Sequence, residues 1–312
     1  MRFASLSLLI AVLSLPLGGC DSAQPVTGTV DGLAAKPTPT TDGYLLTGFA
    51  VPESAQYDPV DDVYYVSNVG VPFVQDGFIS RISADASGDV SGEPGYQWIT
   101  GLNSPFGMAL EGDMLHIVDR DGLYRFAIDR AGGTASQAGF VPIGGPGSLL
   151  NDVCLDGKGS AYVTDTGLSL ATDPPSPTGT AAIYRVVGED VSVLLAGEEL
   201  LLPNGCLVDG ANVFWTTFGS NRLLRTNSSG RIFTQAVLPG GGIDSVVRVG
   251  GFFYLSSWDA GGVFRISRGG SQPVLIAEVG TPGDMGYDSQ RDRLLVPSVF
   301  SANGAVHVVP LH

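Results

Sequence analysis

Four oxygen-bearing side chains, Glu53, Asn151, Asn204 and Asp244, stand at comparable points of a repeating pattern in this 312-residue chain. Carboxylates and amide carbonyls without a paired His or Cys are hard oxygen donors, the set that binds Ca²⁺ and, less strictly, Mg²⁺ or Mn²⁺. Zinc is disfavoured, because the only histidines, His116, His307 and His312, form no ligand pair. One polar residue at the start of a buried strand would simply bond neighbouring backbone around a water-filled channel. Four converging on one small volume need a compensating positive charge, so together they read as a cation site.

The elements that must bring them together are visible in two stretches. LLNDVCLDGKGSAYVTDTG at Leu149 to Gly167 returns as LLPNGCLVDGANVFWTTFG at Leu201 to Gly219. Each reads as anchor, strand, turn and strand, with Asp156-Gly157 and Asp209-Gly210 at the turns. Glu53, Phe106 and Asp244 anchor the same pattern, and Asp284 anchors a looser copy. The anchors 53, 106, 151, 204, 244 and 284 lie 40 to 53 residues apart, the period of a four-stranded propeller blade. The expected fold is therefore all-β, a six-bladed β-propeller over residues 43–312 whose anchors face one axis. Blade six lacks a fourth strand. Tyr44 to Val51 can supply it, closing the ring and removing an exposed edge. Arg81, Arg125, Arg185, Arg225 and Arg265 recur within the third strands and read as framework.

A formal charge of −15 makes the chain a poor partner for nucleic acid. Residues 1–19 carry Arg2 and an apolar run ending in Leu17-Gly18-Gly19, the layout of a signal peptide. The string LGGC resembles the bacterial lipoprotein signal, which implies lipidation of Cys20 and attachment of the mature chain to the cell envelope on its periplasmic face, with inner or outer membrane left open. Pro16, Gly18 and Gly19 interrupt the run, which disfavours a transmembrane anchor. Residues 20–42, rich in Thr, Pro, Gly and Ala, suit a flexible tether.

PES at Pro52 to Ser54, LND at Leu150 to Asp152, PNG at Pro203 to Gly205 and the segment from Gly241 to Ile266 occur in an order that resembles the gluconolactonase, regucalcin and senescence marker protein family. Strictosidine synthase is a more distant likeness. The resemblance implies that Glu53, Asn204 and Asp244 hold the metal and that Asn151 faces metal or substrate. It also implies a small-molecule lactone or ester as partner, its carbonyl polarised by the cation as water attacks. Asp244 is then the candidate base, with Glu53 as its alternative and Asn151 completing the catalytic site. Asp284 either assists beside the metal or is a plain channel residue, and Asp152 is expected to support the site from behind. Two positions depart from the pattern. Leu149 stands where an arginine often binds a polar sugar, so sugar acids are unexpected substrates, and Ser245 follows Asp244 where Gly is usual.

Cys154 and Cys206 lie three and two residues after their anchors, with opposite parity on neighbouring strands. They suit either a disulfide in an oxidising compartment or two buried thiols. The Pro-rich segment Leu168 to Thr180 could lid a pocket or form a contact surface. Val71, Pro72, Phe73, Phe218 and Trp258 could line an apolar pocket. The alternative to a hydrolase is a binding propeller with a structural cation, whose upper loops grip a protein or an envelope ligand.

Overall fold

On its second strand each repeat places neighbouring apolar residues, and successive side chains of a strand point to opposite faces. Tyr64 therefore enters a core shared with the last blade, and Tyr65 a core shared with the second. Phe214 and Trp215 divide in the same way, as do Phe253 and Tyr254. Apolar cores fill the gaps between adjacent blades all round the ring. Sheets buried on both faces explain why the second strands read as nearly continuous apolar runs.

The computed structural model describes residues 43–311, apart from Pro72, Phe73, Asp173 and Ser228. The expected signal peptide, Cys20 and tether lie outside the described residues. Blade one consists of Pro52–Asp58, Val63–Asn68, Gly77–Ser83 and Ile99–Leu102. Blade two follows as Met108–Glu111, Met114–Asp119, Gly122–Asp129 and Thr134–Pro142. Blade three is Leu150–Leu155, Ser160–Asp165, Ala182–Val187 and Asp190–Ala196, and blade four Pro203–Asp209, Asn212–Thr217, Arg222–Thr226 and Ile232–Val237. Blade five is Ile243–Val249, Phe252–Ser257, Gly262–Ser267 and Val274–Glu278. The fold is an all-β, six-bladed propeller of four-stranded antiparallel sheets.

Blade six has Gly286–Asp288, Arg293–Ser298 and Ala305–Pro310, and its fourth strand is Tyr44–Thr47 from the other end of the chain. Tyr44 pairs with Val308 and Leu46 with Val306 in antiparallel register. This closing strand is shorter than the expected Tyr44 to Val51, because the chain turns at Gly48, whose φ is 95°. The recurring arginines serve the frame. Arg81 pairs with Asp61 at 3.0 Å, Arg185 donates to Ser160 at 2.9 Å, and Arg265 lies over the Phe252 ring. Among the described residues no helix is long and apolar enough to cross a membrane.

Candidate metal centre

At the anchors the inner strands depart from regular pairing. Pro52 opposes Asn68 and Ala55 opposes Val66, so three steps on the inner strand match two on its neighbour. The same single-residue bulge falls between Leu150 and Val153, between Pro203 and Cys206, and between Ile243 and Val246. A bulge bends its strand and re-aims the side chains on it. In all four blades it encloses the anchor and the next residue, so Glu53, Asn151, Asn204 and Asp244 are placed alike.

Hydroxyl side chains on the second strands hold the bulges. Ser54, Asp152 and Ser245 donate their N–H groups to Ser67, Thr164 and Ser256 at 2.8, 3.0 and 2.8 Å. Thr164 donates onward to the carbonyl of Asn204 at 2.5 Å, and Thr216 to that of Asp244 at 2.7 Å. The carbonyl of Asn151 accepts from the Gly107 N–H, and that of Glu53 from the Asp284 N–H. With all four anchor carbonyls bonded to the neighbouring blade, side-chain oxygens are the donors left for a ligand. Gly205 is required here, because a Cβ at that position would collide with the Asp244 carbonyl oxygen.

Glu53, Asn151, Asn204 and Asp244 are all buried and line one cavity of about 80 Å³. Glu53 Oε2, Asn204 Oδ1 and Asp244 Oδ1 are buried with no hydrogen-bond partner. Such orphaned acceptors are rare and call for a ligand. Among the described residues no Lys, Arg or His lines the cavity. Burial, then Asp244, Asp284 and Asp152 in turn, drive the Glu53 pKa well above the ordinary carboxylate range. Burial and Asp284 do the same to Asp244. Protons or a cation must offset this charge, and the orphaned oxygens fit a hard divalent ion. Among the described residues no three His, Cys, Asp or Glu form a metal cluster; two of the four members here are amides.

Asp284 and Asp152 face elsewhere, lining a cavity of about 360 Å³ apart from the one above the four anchors. Both Asp284 oxygens are engaged, by Ser54 at 2.6 Å and Ser245 at 2.8 Å, and burial pushes its pKa up to about 6. The channel-residue reading of Asp284 is therefore the one the geometry favours. Ser245, the departure from the usual glycine, holds Asp284 and also accepts the Met285 N–H at 2.9 Å. Asp152 accepts from Val153 and from Cys206 of the next blade, at 2.7 and 2.6 Å, which ties the strands bearing Asn151 and Asn204. Cys154 and Cys206 join the same two strands in a disulfide, with Cα atoms 5.7 Å apart.

Above the four oxygens the cavity is walled by apolar groups. Trp258 meets Phe218 and Phe300 edge-on, at ring separations of 5.1 and 5.5 Å, and Leu149 and Phe106 stand opposite in the sequence order of blades. Part of the Leu168 to Thr180 segment forms a small ribbon, Leu168–Ser169 with Ser176–Pro177, and Leu168 and Leu170 line the cavity. Phe218 and Trp258 thus fall where expected. Val71 is exposed and does not line the cavity, and Pro72 and Phe73 lie outside the described residues. Sequence reasoning missed Val299 and Phe300, and also the supporting hydroxyls. The latter had a readable signal, since Ser67, Thr164, Thr216 and Ser256 follow their anchors by 12 to 14 residues.

Comparison with solved structures agrees with this architecture. A calcium-binding regucalcin from Agrobacterium tumefaciens is 18% identical, with a TM-score of 0.61 over 84% of this chain and 90% of that one. A gluconolactonase from Xanthomonas campestris is 19% identical, with a TM-score of 0.59 over 87% and 90%. This chain has their fold. A chain of a nidogen/laminin complex is also similar, at 21% identity and a TM-score of 0.53, over 70% of this chain and 76% of that one. No family model and no curated protein matches the sequence.

Proposed function

We propose that the chain is a divalent-cation-dependent hydrolase that opens a lactone or a related ester. The observation that carries this reading is the set of three unpartnered buried oxygens, on Glu53, Asn204 and Asp244, at the floor of an apolar cavity. These three and Asn151 would hold the ion, and Ca²⁺ suits an all-oxygen set. When bound, the ion supplies Lewis acidity that draws electrons from the substrate carbonyl. Asn151 orients the carbonyl oxygen. Asp244, made more basic by burial and by Asp284, takes a proton from water as the water oxygen bonds to the carbonyl carbon. The ring C–O bond then breaks, and Asp244 passes the proton to the departing alkoxide, giving a hydroxy acid. The fold shared with a gluconolactonase and a calcium-binding regucalcin supports the reading. By the lipoprotein reading of Leu17 to Cys20, the enzyme works from the cell envelope on a lipid tether.

The test is a panel of lactones and aryl esters, assayed with calcium, after chelation, and with Asp244→Asn. Turnover that is lost on chelation and reduced at least about a hundredfold in the variant supports the hydrolase. Calcium-dependent stability with no turnover on the panel refutes it and leaves a binding propeller.

A further inference from the structure

The walls above the four oxygens bear on the class of substrate, an inference that rests on the hydrolase reading above. The inner cavity adjoins a second one of about 380 Å³, and Ser104, Phe106, Leu149, Leu168 and Leu170 line both. Four of these five are apolar, so the boundary shared by the two cavities is largely apolar, while Arg120, Ser148 and Ser169 line the outer one as well. Its edges are fixed. The Leu149 N–H is held by Asp165 at 2.9 Å, and Leu168 belongs to the two-stranded ribbon. Within the inner cavity a polyhydroxylated sugar acid would shed water against mostly apolar walls, which is costly for each hydroxyl left unpaired. One hydroxyl is offered: Thr166 Oγ lies buried in the inner cavity without a partner.

We propose that the substrate is a lactone bearing a linear alkyl chain. Its ring sits over the four oxygens, one ring or carbonyl oxygen accepts from the Thr166 hydroxyl, and the chain runs past Leu149 and Leu170 into the outer cavity. A single hydrogen-bonding end and an apolar remainder match the unpartnered Thr166 hydroxyl and the apolar Phe106, Leu149, Leu168 and Leu170 at the boundary of the two cavities.

The experiment uses the calcium-loaded full chain with γ-butyrolactone, γ-hexalactone, γ-octalactone and γ-decalactone, with glucono-1,5-lactone as the polar reference. Binding of the corresponding unreactive γ-alkyl lactams is followed by calorimetry. The expected result is a rise in kcat/KM of about fourfold per methylene across the series, with gluconolactone the poorest substrate. Leu170→Asp should flatten that rise. Thr166→Val should raise KM for every member by about tenfold and Thr166→Ser should restore it. Calcium-dependent turnover that is flat with chain length, or fastest on gluconolactone, overturns the alkyl-lactone assignment and leaves the hydrolase standing. Lactams that bind in order of chain length, while none of the lactones is opened, overturn the hydrolase and with it the assignment of substrate.

Discussion

Asp244→Asn should stabilise the metal-free protein and remove most of what calcium adds. Glu53, Asp152, Asp244 and Asp284 are all buried, and among the described residues no cationic side chain lines the cavity at Glu53 and Asp244. The amide has nearly the shape of the carboxylate, so packing is kept while one charge is lost. An uncompensated buried charge costs on the order of 3 kcal/mol. At roughly 2 °C per kcal/mol for a domain of this size, the variant should melt about 6 °C above wild type in chelator at pH 7.5. Calcium at a thousandfold excess over its Kd would raise wild type by about 4 kcal/mol, and the variant far less. The sign with pH follows from the raised values. Groups whose folded pKa exceeds the unfolded one contribute stability that is present below the ordinary carboxylate pKa and lost as pH rises through the folded value. For Asp284 that value is about 6. The variant's advantage in chelator should therefore shrink as the pH falls through the raised value of Asp244 itself. Scanning calorimetry of both proteins, with calcium and with chelator, measures all of this. Equal calcium shifts in the two proteins, or a chelated variant less stable than chelated wild type, would refute the reasoning.

Reducing the Cys154–Cys206 bond, which spans 52 residues, should cost about 4 kcal/mol by loop entropy. It should also weaken calcium binding, because the bond joins the strands that carry Asn151 and Asn204; urea unfolding and calcium titration with and without reductant check both. Thr216→Val deprives the Asp244 carbonyl of its 2.7 Å donor and should cost about 1–2 kcal/mol, measured by urea unfolding, with a matching loss of calcium affinity. His116 is buried, and burial with Arg125 nearby lowers its pKa to about 4. Because this lies below the ordinary value near 6.5, its stabilising contribution is full above pH 6.5 and is lost as pH falls toward 4, by up to about 3 kcal/mol. His116→Gln should flatten that part of the stability profile in urea titrations at stepped pH.

The blades were legible because five of the six anchors precede a turn at a constant offset, with Asp284 starting a looser copy, a local pattern that survives even where the strands vary. Glu53, Asn151, Asn204 and Asp244 were legible for the same reason, as their convergence follows from the ring. Asp284 was not. Its two hydroxyl partners, Ser54 and Ser245, lie 230 and 39 residues away in other blades, and only the folded ring shows that its oxygens are already taken. The cysteines were equally ambiguous, since parity allows a bond while the separation of the strands depends on the bulges at their anchors. Part of the cavity wall escaped for a different reason. Val299 and Phe300 sit in a connecting segment, whose path over the axis is set by packing rather than by a repeat.

The strand that closes the ring has a consequence for biosynthesis. Tyr44–Thr47 is the first described strand to leave the ribosome, and its partner Ala305–Pro310 is the last. At about 5–20 residues per second, the first strand waits on the order of tens of seconds for its mate. Blades one to five can pair internally as they emerge, but the ring stays open until Ala305–Pro310 arrives. A chain that stops short of Ala305 would leave Tyr44–Thr47 without this mate and Arg293–Ser298 with a bare edge. Such truncated products are the ones expected to aggregate or to be degraded, so the closing ladder acts as a check that the whole propeller has been made.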